Sequence, residues 1–358
     1  MPDCLRGSSF ALILYDVSEE IDLESLRSIL GARRAGPALK HAAPEYVRFQ
    51  RPPVIETLSP LVFDSGEKFA AQLKYYDYGV ISVIFDLGFE GGWHDLIQRA
   101  SCWMVSGEFE RRAGQLIRQN LERARPALVK SYKDWLVEDY FIFHLNAIPE
   151  QPTANALLKA CGDQIACVVR GEKERLSEGE RSEVLQSSIS YYPNDVAVVG
   201  WHAAFLYDNA AGAQGSLDLV EYANTQLLEF RHYDDLLTRE LGSVYRTLDR
   251  SRGAIRRWRL ARQATRLQTV TLEVTELTER VDNAIKFLSD MFSARLYRMA
   301  AAKIGVPDYK TLVNQKLHTA DELYRFMIEQ FQQGRAFVLE LMVVVILVIE
   351  LVFLFRGK

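Results

Sequence analysis

The chain has 358 residues, 48% of them hydrophobic and 25% charged, with 43 Lys and Arg against 47 Asp and Glu for a formal net charge of −4. Fractions this ordinary exclude a disordered tail, a collagen-like fibre and a polytopic membrane protein, and near-neutral charge excludes a globally basic nucleic-acid binder. At ~100–200 residues per domain the length fits two units.

Met1–Tyr15 lacks the charged start, long apolar core and cleavage site of a signal peptide. Ser9–Val17 (SFALILYDV) reads as a strand, and Ile21–Leu30 as a helix closed by Gly31. Ala32–Pro60, rich in Pro, Arg and Ala, reads as a loop with one extended piece. Ala70–Tyr75 and Val80–Phe85 flank Tyr76-Asp77-Tyr78-Gly79 and predict a hairpin. Gly88-Phe89-Glu90-Gly91-Gly92 then leads into a helical stretch from Trp93 to about Val129, broken near Ser106-Gly107. Glu138–Leu145 predicts a strand, Pro152–Cys161 a helix, Gln164–Arg170 a strand and Ser177–Ser188 a helix. Asp195–Asp208 gives two short strands joined around Gly200.

Beyond about residue 210 the character becomes helical. Gly215–Asp249 carries Leu217, Val220, Leu227, Leu237, Leu241, Val244 and Leu248 at helical spacing. Leu267, Val270, Val274, Leu277, Val281, Ala284, Leu288 and Met291 recur at steps of three and four. After Ile304-Gly305-Val306-Pro307 the same spacing runs through Val313, Leu317, Ala320, Tyr324, Met327, Phe331, Gly334, Val338 and Leu341. Sustained 3–4 spacing predicts a coiled-coil seam, here closed as an antiparallel hairpin to which the 215–249 helix adds a third member.

Ala336–Phe355 (AFVLELMVVVILVIELVFLF) contains two charges, Glu340 and Glu350, and as a helix is ~30 Å long. It predicts a transmembrane tail anchor, with the preceding domains on the cytoplasmic side of a bacterial inner membrane. Carboxylates within a span face a bundle interior, so Glu340 and Glu350, with Gly334, Val338, Leu341 and Val345, predict a face for self-association. A hairpin turning at 304–307 sets Ala336 opposite about Thr275, and so brings Arg250, Arg252, Arg256, Arg257, Arg259, Arg262 and Arg266 to headgroup level. That segment has no acid between Asp249 and Glu273, and it suits anionic lipid, with RNA and a solvated charged face as alternatives. The whole reads as an α+β protein: a mixed α/β head over 1–210, a long antiparallel helical stalk over 211–335 and a transmembrane helix over 336–355.

Catalytic signals are few. There is no phosphate loop, nucleophile elbow, paired-His metal helix or dinucleotide fingerprint. The four cysteines (Cys4, Cys102, Cys161, Cys167) form no C-x-x-C pair, which indicates neither a zinc site nor a disulfide framework and fits a reducing compartment. Trp93-His94-Asp95 and Trp201-His202 with Asp208 are the places where a His beside an Asp suggests a general base, and a hydrolase or nucleotide-binding head would use one of them. The more ordinary role for either is a half-buried His bonded to backbone. The 88–92 glycines offer an anion cradle that Glu90 opposes, and His232-Tyr233-Asp234-Asp235 points its side chains around a helix rather than at one ligand. No cofactor and no metal is expected.

Leu339-Glu340, nine apolar residues and Glu350, together with Tyr78-Gly79-Val80 and the apolar strand after it, resemble the required-for-meiotic-nuclear-division family. The aromatic residue usual after Leu-Glu is Leu341 here, and Glu138–Asp208 departs from the family pattern. The resemblance implies a membrane-anchored, self-associating protein without known catalysis. Residues and resemblance together predict a non-enzymatic membrane scaffold that forms homo-oligomers and holds a protein partner, with a membrane-tethered RNA- or ribosome-associated factor as the alternative.

Overall fold

The computed structural model describes residues 4–31, 51–250, 254–283 and 291–356. In chain order its elements are β1 (Leu5–Ile21), α1 (Leu23–Leu30), β2 (Val54–Val62), β3 (Lys68–Tyr75), β4 (Val80–Gly91), α2 (Trp93–Trp103), α3 (Glu108–Ala124) and β5 (Leu128–Ala147). They continue with α4 (Ala154–Arg170), α5 (Glu178–Gln186), β6 (Ser188–Ile189), β7 (Val196–Val199), β8 (Ala203–Tyr207) and four helices, α6 (Ala210–Arg250), α7 (Ala254–Asn283), α8 (Met291–Ile304) and α9 (Val306–Arg356). Two compact units divide them: Met1–His232 with Glu279–Tyr309, and Tyr233–Thr278 with Lys310–Lys358.

The first unit is built on an eight-stranded sheet in the order β2-β3-β4-β1-β5-β8-β7-β6. Pairing is antiparallel except between β5 and β8. Alternation along β1 sends Ala11, Ile13, Tyr15 and Val17 into one core with Phe69, Phe85, Trp103, Phe109, Ile117 and Ile165. Leu12, Leu14 and Asp16 point to the other face and are equally buried. A sheet buried on both faces needs cover on both, and α6 supplies part of the second.

Local chemistry explains most boundaries. Asp22 caps α1 by accepting from the Glu24 and Ser25 amides, and Gly31 ends it at φ 62°. The β3–β4 hairpin turns at Gly79 (φ 96°), where an added Cβ would lie 1.7 Å from the Ser18 carbonyl oxygen. The helical stretch expected to reach Val129 ends at Ala124, since Pro126 sits in a short 3-10 turn that leads into β5. Gln164–Arg170, expected as a strand, is helix: α4 continues through a kink at Cys161 and buries Ile165, Ala166, Val168 and Val169 in the first-face core. The loop expected over 32–60 is partly strand, β2, and its 32–50 portion lies outside the described residues.

The second unit is helical. Leu241 and Val244 of α6, Ala264 and Leu267 of α7, and Ala320 and Met327 of α9 form one buried cluster. The three-member bundle is therefore present, but not in the expected register. A hairpin turning at 304–307 with Ala336 opposite Thr275 would set Ala264 and Leu267 against about residues 344–347, whereas they cluster with Ala320 and Met327. The helix before the 304–307 turn is a separate one, α8, which belongs to the first unit.

The transmembrane helix expected over 336–355 is corrected. Among the described residues no helix is long and apolar enough to cross a membrane. A span needs ~20 consecutive apolar residues, and the described side chains of that stretch are those of Met342–Ile349, Leu351 and Val352. With the span fall the tail anchor and the single-pass inner-membrane placement.

Candidate interaction surface and buried polar seam

Where α6 covers the sheet, the contact is polar to an unusual degree. Lys74 of β3 is buried, and its Nζ donates to Glu221 Oε2 at 2.5 Å and Asp218 Oδ1 at 2.8 Å. Glu221 is fully buried. Burial works against the Lys74 charge, but Glu221 and Asp218 more than offset it and hold the ammonium above the ordinary lysine range. The pair recurs as a pattern along α6. Tyr78 and Thr225 share a hydroxyl–hydroxyl bond of 2.8 Å, Arg231 donates to Glu138 of β5, and His232 Nδ1 lies 2.6 Å from Asp16 Oδ2 of β1. Tyr132 stacks on the His232 ring with centroids 4.5 Å apart. Burial raises the Asp16 carboxyl, and the His232 contact pulls it back down. Tyr76 and Tyr78 are held well above the phenol range by burial. Tyr297 of α8 donates to Gln226, which ties that helix to the same seam.

Such a seam positions rather than reacts. Each partner is specific, so α6 is fixed in one register along its axis and one rotation about it. A slip by one turn would leave several buried charges unpaired.

The residues singled out by sequence fare differently. Of the arginine segment, Arg262 and Arg266 are described and exposed, and Arg266 is tied to Glu240 at 2.5 Å within the helical unit. Arg250, Arg252, Arg256, Arg257 and Arg259 have side chains outside the described residues. So do Glu340, Glu350, Gly334, Val338 and Leu341; Val345 is described and 48% exposed. The expected face therefore lies largely outside the described side chains, and the described ones form an apolar surface. From Met342 to Ile349, with Leu351 and Val352, every described side chain is between 47% and 58% exposed.

His94 and His202 are both exposed. His94 sits in the first turn of α2, and Asp95 beside it is occupied as the cap, accepting from the Gly92 amide at 2.8 Å. Glu90 pairs with Arg6 of β1 at 3.1 Å, and the Gly92 amide is already taken by Asp95. Among the described residues no group of three or more His, Cys, Asp or Glu could hold a metal ion.

The seam was missed by sequence reading because its members alternate with apolar residues that dominate the pattern. The available signal was a lysine at the centre of a strand, Lys74, and three polar residues in succession, Asn224-Thr225-Gln226, on a helix otherwise apolar on that side.

Residues 6–214 match the family model described as the N-terminal domain of the uncharacterized protein MJ0711, and the chain belongs to that family. The matched range contains all the strands and ends in the first turns of α6. The uncharacterized protein MJ0711 of Methanocaldococcus jannaschii is 18% identical over 238 residues, which is 66% of this chain and 72% of that protein. Both matches name MJ0711, and neither names the required-for-meiotic-nuclear-division family. No solved structure matches.

Proposed function

We propose that the chain is a non-enzymatic, self-associating adaptor, in which the helical unit joins copies and the α/β unit holds a protein partner. The observation that carries this is the run Met342–Ile349 with Leu351 and Val352, apolar and half exposed all round the helix. Contiguous apolar surface of this kind marks an interaction site. A one-sided partner would cover one stripe and leave the rest in water. Several copies of the same helix, packed side by side, cover every side, and a helix apolar all round is one built for such an interior.

Co-expression of two differently tagged copies tests it. Each tag is expected to recover the other, and the double variant V345E/I349E, which puts two carboxylates on adjacent turns of one face, is expected to abolish recovery. Equal recovery with the double variant would exclude this helix as the joining surface.

A further inference from the structure

The second face of the sheet also carries a cavity that the seam does not use. Near the start of α6 a space of about 370 Å³ is lined by Phe10, Gln72, Ile84, Asp86, His144 and Leu217, among others. Strand pairing sets Asp86 opposite Phe10 and His144 opposite Ser8, on either side of β1. Two strand spacings, ~10 Å, therefore separate them across the sheet.

Both groups are acceptors. His144 is buried, and its Nε2 lies 2.9 Å from the Asp208 carbonyl oxygen. That oxygen can only accept, so Nε2 carries the proton and Nδ1 keeps its lone pair. Burial lowers the pKa of the ring, against the smaller pull of the Asp208 bond, and so keeps it neutral. Asp86 is partly buried, which raises its carboxyl against the opposing pull of a side-chain hydrogen bond from Ser8, and its Oδ1 has no donor among the described residues. Among the described residues no Lys or Arg lines the cavity, and Asp86 is the one acidic group in its wall. Phe10, Ile84 and Leu217 give the wall its apolar part, and Ser8, Thr57, Gln72, Asn146 and Gln214 give it neutral polar groups.

We propose that this cavity binds a small organic ammonium ion, with Asp86 as its counter-charge, Phe10 and the aliphatic wall against its carbon body, and His144 Nδ1 accepting a second hydrogen bond. A carboxylate beside an aromatic ring is a favourable place for such a cation. A phosphate or carboxylate ligand could accept from the Gln72, Asn146 and Gln214 amides, but it would meet the Asp86 carboxylate and no lysine or arginine to balance its charge. The volume lies within the range of sites for small molecules.

Calorimetric titration of the full chain with ethanolamine and n-butylamine, against ethylene glycol and n-butanol as neutral counterparts, tests the proposal. Saturable binding of an amine and none of its neutral counterpart is expected. Asp86→Asn, which keeps shape and the capacity to accept from Ser8, is expected to weaken amine binding at least tenfold. Ala70→Trp, at an exposed position on the rim, fills the entrance without touching the core and is expected to do the same. Thermal melts confirm that both variants fold. Amine affinity unchanged in Asp86→Asn, equal binding of the neutral counterparts, or no amine binding by the unaltered chain would each overturn the proposal.

Discussion

Lys74 shows what single residues contribute. Its ammonium sits among buried groups and is tolerable only because Glu221 and Asp218 face it. Removing one member of a buried pair costs about 3–5 kcal/mol, because the other charge is left without a partner. Lys74→Met and Glu221→Leu are each expected to lower stability by that order in denaturant unfolding. The double variant is expected to be more stable than either single one, and additive losses would show that the two groups do not act as a pair. Asp208 gives a pH signature. Burial raises its carboxyl to about 6, which the amide bond from Asn209 only partly opposes. In the unfolded chain the same group titrates near ~4. Between those values the folded state holds a proton that the unfolded state has lost, so this group makes stability fall as pH rises from ~4 to ~6 and flat beyond. Asp208→Asn should remove that slope, a gain of roughly 1 kcal/mol at neutral pH after screening of a partly exposed group. An unchanged slope would assign the titration elsewhere.

At the scale of elements, the β3–β4 hairpin depends on Gly79. Its positive φ and its 1.7 Å clearance to the Ser18 carbonyl leave no room for a side chain. Gly79→Ala should destabilise the first unit by more than ~2 kcal/mol, measured by thermal or denaturant unfolding, since both strain and a backbone clash are introduced. A loss below ~0.5 kcal/mol would mean that β1 yields easily there. This hairpin, α1 with its end at Gly31, and the two strands around Gly200 were all legible, because turn and cap residues act locally. Gln164–Arg170 was not. Five apolar residues in a row, three of them β-branched, read as a buried strand, and only the packing of α4 on the sheet decides for helix. The apolar stripe of the helical region was equally plain in sequence, and Val270, Val274, Val313, Ala320 and Met327 are buried as their spacing requires. The register of that stripe was not legible, since 3–4 spacing states which face is buried but not which residue it meets. The pairing within the seam under α6 was illegible for the same reason: Lys74 stands out in its strand, but nothing in the spacing of Lys74, Asp218 and Glu221 says that they converge.

The whole molecule combines a family domain, matched over 6–214, with a helical unit that the match leaves out. In that helical unit, the run from Met342 to Val352 is the least satisfied surface described. Burying it between copies stabilises the assembly by roughly 25 cal/mol per Å² of apolar area removed from water, so even partial cover of ten such side chains outweighs a single surface contact many times over. Charged substitutions there should act on assembly and leave the sheet unit intact. The full chain with V345E/I349E is therefore expected to keep its thermal unfolding of the α/β unit while losing self-association. Light scattering coupled to size exclusion, which reads absolute mass, puts the central claim to its most direct test. The account predicts a whole-number multiple of 40.9 kDa, two or more, for the unaltered chain and 40.9 kDa for the double variant. A mass of 40.9 kDa for the unaltered chain at micromolar concentration would contradict it.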